Sequence, residues 1–139
     1  MQILLSIKPE FSRKILSGEK KYEFRKQLPK SAIKRMFIYE SSPSKCIVGW
    51  FTVKKIICES PERIWQICKD SGGIEVEKFF AYCNGKKKIY AIQIEDVYKF
   101  EKPMNPFEIN PFFRAPQNFV YFDDIFNNVI TTRNQDLLK

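Results

Sequence analysis

The sequence predicts a single α+β domain in which short helices flank a β-rich core. Two patterns point there. Apolar runs rich in Ile, Tyr and Phe, alternating or continuous, recur between residues 3 and 99. They are separated by segments with helical apolar spacing that open on Pro or an acidic residue and close on Gly. Size is the third indication: 139 residues, 44% of them hydrophobic and 13 of them Phe, supply one core. The domain is expected over residues 1–122, with 123–139 as a tail.

The elements follow in order. Ile3-Leu4-Leu5-Ser6-Ile7 reads as a buried strand, and Lys8-Pro9-Glu10 turns the chain with Pro9 suited to a helix's first position. Phe11, Ile15 and Leu16 give that helix one apolar face, and Gly18 caps it. From Lys20 to Lys26 the chain alternates, with Tyr22 and Phe24 on the buried side and Lys21, Glu23 and Arg25 facing water or a cleft. Two more strands, Met36 to Glu40 and Cys46 to Ile57, are joined by a Ser41-Ser42-Pro43-Ser44 turn, and Gly49 inside the second marks a bulge or a close approach. Ser60-Pro61-Glu62 starts a helix whose apolar face holds Ile64, Trp65, Ile67 and Cys68, and Ser71-Gly72-Gly73 stops it. A second helix, Glu75 to Cys83, ends at Asn84-Gly85 before a strand from Lys88 to Lys99. Pro103, Pro106, Pro111 and Pro116 then exclude a helix or central strand and imply an ordered coil pinned by Phe107, Phe112 and Phe113. In the tail, Phe122, Ile125, Phe126 and Val129 have helical spacing that Asn127-Asn128 and Thr131-Thr132 weaken, so a short fraying helix is expected.

Composition excludes several chemistries. With no histidine, Ser-His-Asp and Cys-His catalysis are ruled out, and any reaction must run on Lys, Glu, Asp, Tyr or Ser. Cys46, Cys58, Cys68 and Cys83 form no Cys-x-x-Cys pair and lie among apolar residues, so they are expected as free buried thiols, with no metal and no cofactor. Neither a secretory signal nor a run of 18 apolar residues occurs, which predicts a cytoplasmic protein that does not enter membranes. Net charge is +8, and residues 1–60 carry all of it, with 13 Lys+Arg against 5 Asp+Glu, while 61–139 balance at 11 against 11. An electropositive, phosphate-attracting face and a Lys-rich solvated surface fit that asymmetry equally well.

The order of elements and the residues within them resemble the ASCH domain of the PUA-like superfamily. Leu-Leu-Ser-Ile-Lys-Pro-Glu (4–10) begins the match, and residues 15–25 contain the family's Gly-x-Lys-x-x-Glu-x-Arg pattern as Gly18, Lys20, Glu23 and Arg25. Tyr39-Glu40-Ser41-Ser42-Pro43, the Gly49 strand, Gly85 before Tyr90-Ala91-Ile92, and Pro116-Gln117-Asn118-Phe119 with Tyr121 extend it over about residues 3–122. The resemblance implies a small, partly closed β-barrel flanked by short helices, a cleft lined by these polar residues, and a role in RNA metabolism.

The expected function is therefore that of a module binding RNA, single-stranded, or a nucleotide. Glu23 and Arg25, two apart on a strand, point the same way, and with Lys20 they can hold a phosphate and read a base amine. Without the family pattern, the trio reads more readily as a surface ion pair of under about 1 kcal/mol, and the resemblance reverses that preference. Ser6 and Lys8 are expected beside it, Gln117 and Asn118 can bond a base edge, and Tyr39 and Tyr121 can stack on one or lie in the core. Phe119, Trp50 and Trp65 read as packing. The alternative is a small hydrolase at the same cleft, acting on a modified nucleoside or on RNA. An amidohydrolase branch of the superfamily that acts on acetylated cytidine has a Lys matching Lys20 and a Thr where Glu23 stands. A carboxylate there would form a mixed anhydride rather than an ester, so Glu23 would serve as a general base on water, with Lys20 or Arg25 stabilising the oxyanion. A protein-interaction adaptor using the Phe-rich segment 107–126 is a third reading.

Overall fold

The computed structural model describes residues 1–122. Its strands are β1 (Gln2–Ile7), β2 (Tyr22–Arg25), β3 (Arg35–Glu40), β4 (Cys46–Glu59), β5 (Ile89–Met104) and β6 (Phe119–Tyr121). Its helices are α1 (Pro9–Leu16), α2 (Pro61–Cys68), α3 (Val76–Cys83) and the single turn α4 (Pro106–Ile109). The strands form one sheet in the order β2-β5-β4-β3-β1-β6, curled into a half-barrel, so the α+β expectation holds.

Local chemistry explains the helix ends. Pro9 and Pro61 open α1 and α2, and the Ser60 hydroxyl accepts the Arg63 amide at 3.2 Å as the α2 N-cap. Asn84 (φ 44°) closes α3 in the left-handed region, and Gly18 (φ 84°) follows α1 in the same region.

β1 pairs with β3 in parallel, and the other pairs are antiparallel. A parallel strand inside a sheet is covered on both faces, which explains the unbroken apolar run of β1. Leu4 packs with Phe37, Trp50 and Phe100, while Ile3 and Leu5 pack on the other side with Met36, Ile38 and Phe51. A third cluster lies under α2 and α3, where Phe79 meets Phe24 edge-on at 5.1 Å between ring centres. At Gly49 the register against both neighbouring strands slips, and a Cβ there would fall 2.2 Å from the Tyr98 carbonyl oxygen. Bulge and close approach thus coincide at one residue.

Several expectations need correction. β5 continues through Pro103 to Met104 because β2 covers only Tyr90–Gln93. Past that point no described strand pairs with this edge of β5, so a residue without an amide proton is tolerated. Asn105 caps α4 by accepting the Phe107 amide at 3.0 Å, so the proline-rich stretch holds a helical turn rather than coil alone. Of the three phenylalanines expected to pin it, Phe113 is buried, whereas Phe112 is 89% exposed. Cys68 and Cys83 are buried, but Cys58 is exposed and Cys46 half-buried, because β4 runs beyond the part of the sheet that is covered. The expected tail helix lies outside the described residues.

Candidate functional site

After α1, the Lys20 amide donates to the Lys14 carbonyl and the Lys21 amide to the Ser71 carbonyl at 2.8 Å, so β2 begins at Tyr22 rather than Lys20. Strand alternation then sends Tyr22 and Phe24 toward α2 and α3 and Glu23 and Arg25 the opposite way. Glu23 and Arg25 do share a face, as the sequence predicts. Both are buried, and their side chains pair at 3.3 Å.

Arg25 holds three parts of the chain together. Its Nη1 donates to the Ser6 carbonyl (3.2 Å) and to Glu23 Oε2 (3.3 Å), and its Nη2 donates to the Asn118 carbonyl (2.6 Å) and to Asn118 Oδ1 (3.3 Å). The Asn118 amide in turn donates to Gln27 Oε1 at 3.1 Å. Both terminal nitrogens of the guanidinium thus make two hydrogen bonds each to the protein, and Nε is closed to solvent with no partner among the described residues. The Ser6 hydroxyl is likewise buried with no partner among the described residues.

Lys20 is 2% exposed. Its Nζ donates to the Gly72 carbonyl at 2.5 Å and lies 4.6 Å from the ring centre of Phe24 and 5.3 Å from that of Phe11. Burial pulls the ammonium below the usual lysine range, and the Glu23 carboxylate opposes part of that shift. The loop after α2 presents three successive carbonyls to this region: Ser71 accepts the Lys21 amide, Gly72 the Lys20 ammonium and Gly73 the Lys14 ammonium.

These groups open onto a cavity of about 480 Å³, a volume typical of small-ligand sites. Ser6, Lys8, Lys20, Glu23, Arg25, Gln117 and Asn118 all line it, so the structure brings seven of the nine residues anticipated for a binding site to one place. Tyr39 and Tyr121 are not among them. Tyr39 is 2% exposed and packs on Phe113 at 5.4 Å, because β3 parity turns it to the opposite side of the sheet. Tyr121 pairs with Ile3 on β6 and is exposed away from the cavity. Phe119 is half-buried against the cluster around Ile3 and Leu5; Trp50 is buried, and Trp65 packs partly buried against Phe79. Sequence reasoning missed Phe11, Phe24, Ile74 and Tyr82 as cavity walls, and Lys26 and Lys86 at its edge. Lys26 Nζ sits 4.8 Å over the Tyr82 ring. It also missed Gly72-Gly73, whose adjacent glycines read only as a helix stop. Among the described residues no cluster of potential metal ligands occurs, and no helix is long and apolar enough to cross a membrane.

A six-stranded half-barrel with a few short helices is the architecture of the ASCH domain, a PUA-like fold. The fold is similar to the crystal structure of ASCH from Zymomonas mobilis (TM-score 0.82, 24% identity, 99% of this chain and 93% of that one). A point mutant of that protein superposes at a TM-score of 0.86 with 23% identity, over 94% of this chain and 96% of the mutant. In sequence, residues 7–112 match the family described as Domain of unknown function (DUF365), and the chain belongs to that family. Among curated proteins it is 26% identical over 127 residues to the ASCH domain-containing ribonuclease of Zymomonas mobilis, covering 86% of this chain and 83% of that protein. It is also 29% identical over 122 residues to a protein named ATP synthase subunit alpha of Ureaplasma parvum; the match takes 86% of this chain but spans only 15% of that protein's length.

Proposed function

We propose that the cavity binds RNA, taking a nucleotide of a single strand, and that it does so in the cytoplasm. One observation carries the reading: among the described residues five cations, Lys8, Lys20, Arg25, Lys26 and Lys86, line the cavity against one carboxylate, Glu23. That balance makes a basic cleft, which attracts a phosphate backbone. Similarity to a protein named as a ribonuclease favours RNA over other polyanions. Four unpaired cysteines fit a reducing compartment. Titration of a labelled single-stranded oligoribonucleotide at two salt concentrations tests the proposal. Affinity should fall steeply as salt rises, and absence of binding at low salt would remove it.

A second reading, a hydrolase at the same cleft, is favoured by the lowered Lys20 ammonium beside Glu23. Glu23 would draw a proton from water and Lys20 would stabilise the developing oxyanion. In that case Glu23→Gln should lower turnover of an acylated cytidine or of RNA about 100-fold or more while binding persists. A wild type without such turnover leaves the binding module alone.

A further inference from the structure

The polar groups of the cavity are sorted by depth. Lys20, Glu23 and Arg25 are buried, whereas Lys8 and Lys86 are exposed and Lys26 is half-buried against Tyr82. The floor has little to offer a phosphate. A phosphate is best held by the paired terminal nitrogens of an arginine, and those of Arg25 are already bound to the Ser6 carbonyl, Glu23 and Asn118. Glu23, by contrast, commits only Oε2 to Arg25. Its Oε1 accepts no hydrogen bond from the described residues and is not sealed from solvent. A carboxylate oxygen left open in a buried site needs a donor and repels an oxyanion.

Resting on the RNA reading above, we infer that the ligand enters base first: the Glu23 carboxylate takes an N–H on the base's edge, and the phosphates stay outside on Lys8, Lys26 and Lys86. The four RNA bases present amine or imino protons on their Watson–Crick edges, and a phosphate diester presents none. The aromatic walls fit the same orientation, since Phe11, Phe24 and Tyr82 give a base apolar surface that a phosphate would shun. Glu23 is thus the residue that distinguishes a base from a phosphate at the floor, and the lysines at the edge set the salt dependence.

Two short single strands serve as probes: an oligoribonucleotide, and the same backbone with abasic residues throughout. Glu23→Gln keeps the size of the side chain and an oxygen for Arg25, so the fold should persist. With the base at the floor, this change should weaken the base-bearing strand about fivefold, the difference between a charged and a neutral hydrogen bond, and leave the abasic strand unchanged. With a phosphate at the floor, removing the negative charge should tighten both strands, and that result would overturn the inference. Lys8→Ala and Lys86→Ala should each lower the slope of log affinity against log salt by about 0.7 on both strands. Unchanged slopes would equally overturn it. If the wild type binds neither strand at low salt, the RNA reading itself fails. Binding with the opposite Glu23 response leaves that reading standing and rejects only the orientation.

Discussion

Gly73→Ala tests how the cavity floor is built. Gly73 has φ +65°, and a Cβ at that position would lie 2.7 Å from Lys20 Cβ and 2.8 Å from Lys20 Cγ. The left-handed backbone costs an L-residue about 1–2 kcal/mol. The contact adds about 1–3 kcal/mol, because the Lys20 stem is fixed by its ammonium bond to Gly72 and by Phe11 and Phe24 below it. Gly18 (φ +84°) and Gly85 (φ +74°) have no described residue within 4 Å of the same added atom, so Gly18→Ala and Gly85→Ala carry the backbone cost alone. Urea unfolding of the three variants should therefore place Gly73→Ala lowest, below the other two by about 1–3 kcal/mol at an unchanged m-value. Equal losses in all three would show that Lys20 is not held by this loop and would refute the account of the floor.

Burial holds the Cys68 thiol up at about 11, so at pH 8 thiol reagents should label Cys58 in the native protein and reach Cys68 only after unfolding. The folded value lies above the reference of 9.0, so this stabilisation is complete below pH 9 and is lost as pH rises through about 11; Cys68→Ala should remove that part of the alkaline decline in the urea midpoint. Phe79→Ala deletes a fully buried ring that touches Phe24, Trp65 and Phe80 and should cost about 3–5 kcal/mol by the same unfolding measurement.

Much of this protein is legible residue by residue. Ser60-Pro61 starts α2 and Asn84-Gly85 ends α3 because capping is settled within a few residues, and the shared face of Glu23 and Arg25 follows from strand parity alone. Tyr39 obeys the same parity, but parity names two faces without saying which one meets the cavity, and β3 turns Tyr39 to the other. Pro103 misled for a related reason: its missing amide matters only if a neighbouring strand needs it, and the shortness of β2 removes that need.

The sequence by itself determined the first five strands and first three helices, the caps at Ser60 and Asn84, the absence of histidine chemistry and the shared face of Glu23 and Arg25. Only the tertiary structure decided that β1 lies parallel to β3, that Ser6 and Asn118 close around Arg25, and that Gly72 holds Lys20. These contacts join residues 19, 93 and 52 positions apart. Backbone preference and side-chain periodicity act over a few residues, whereas contacts at such separations depend on strand order and curl, which are fixed by burying the three apolar clusters together.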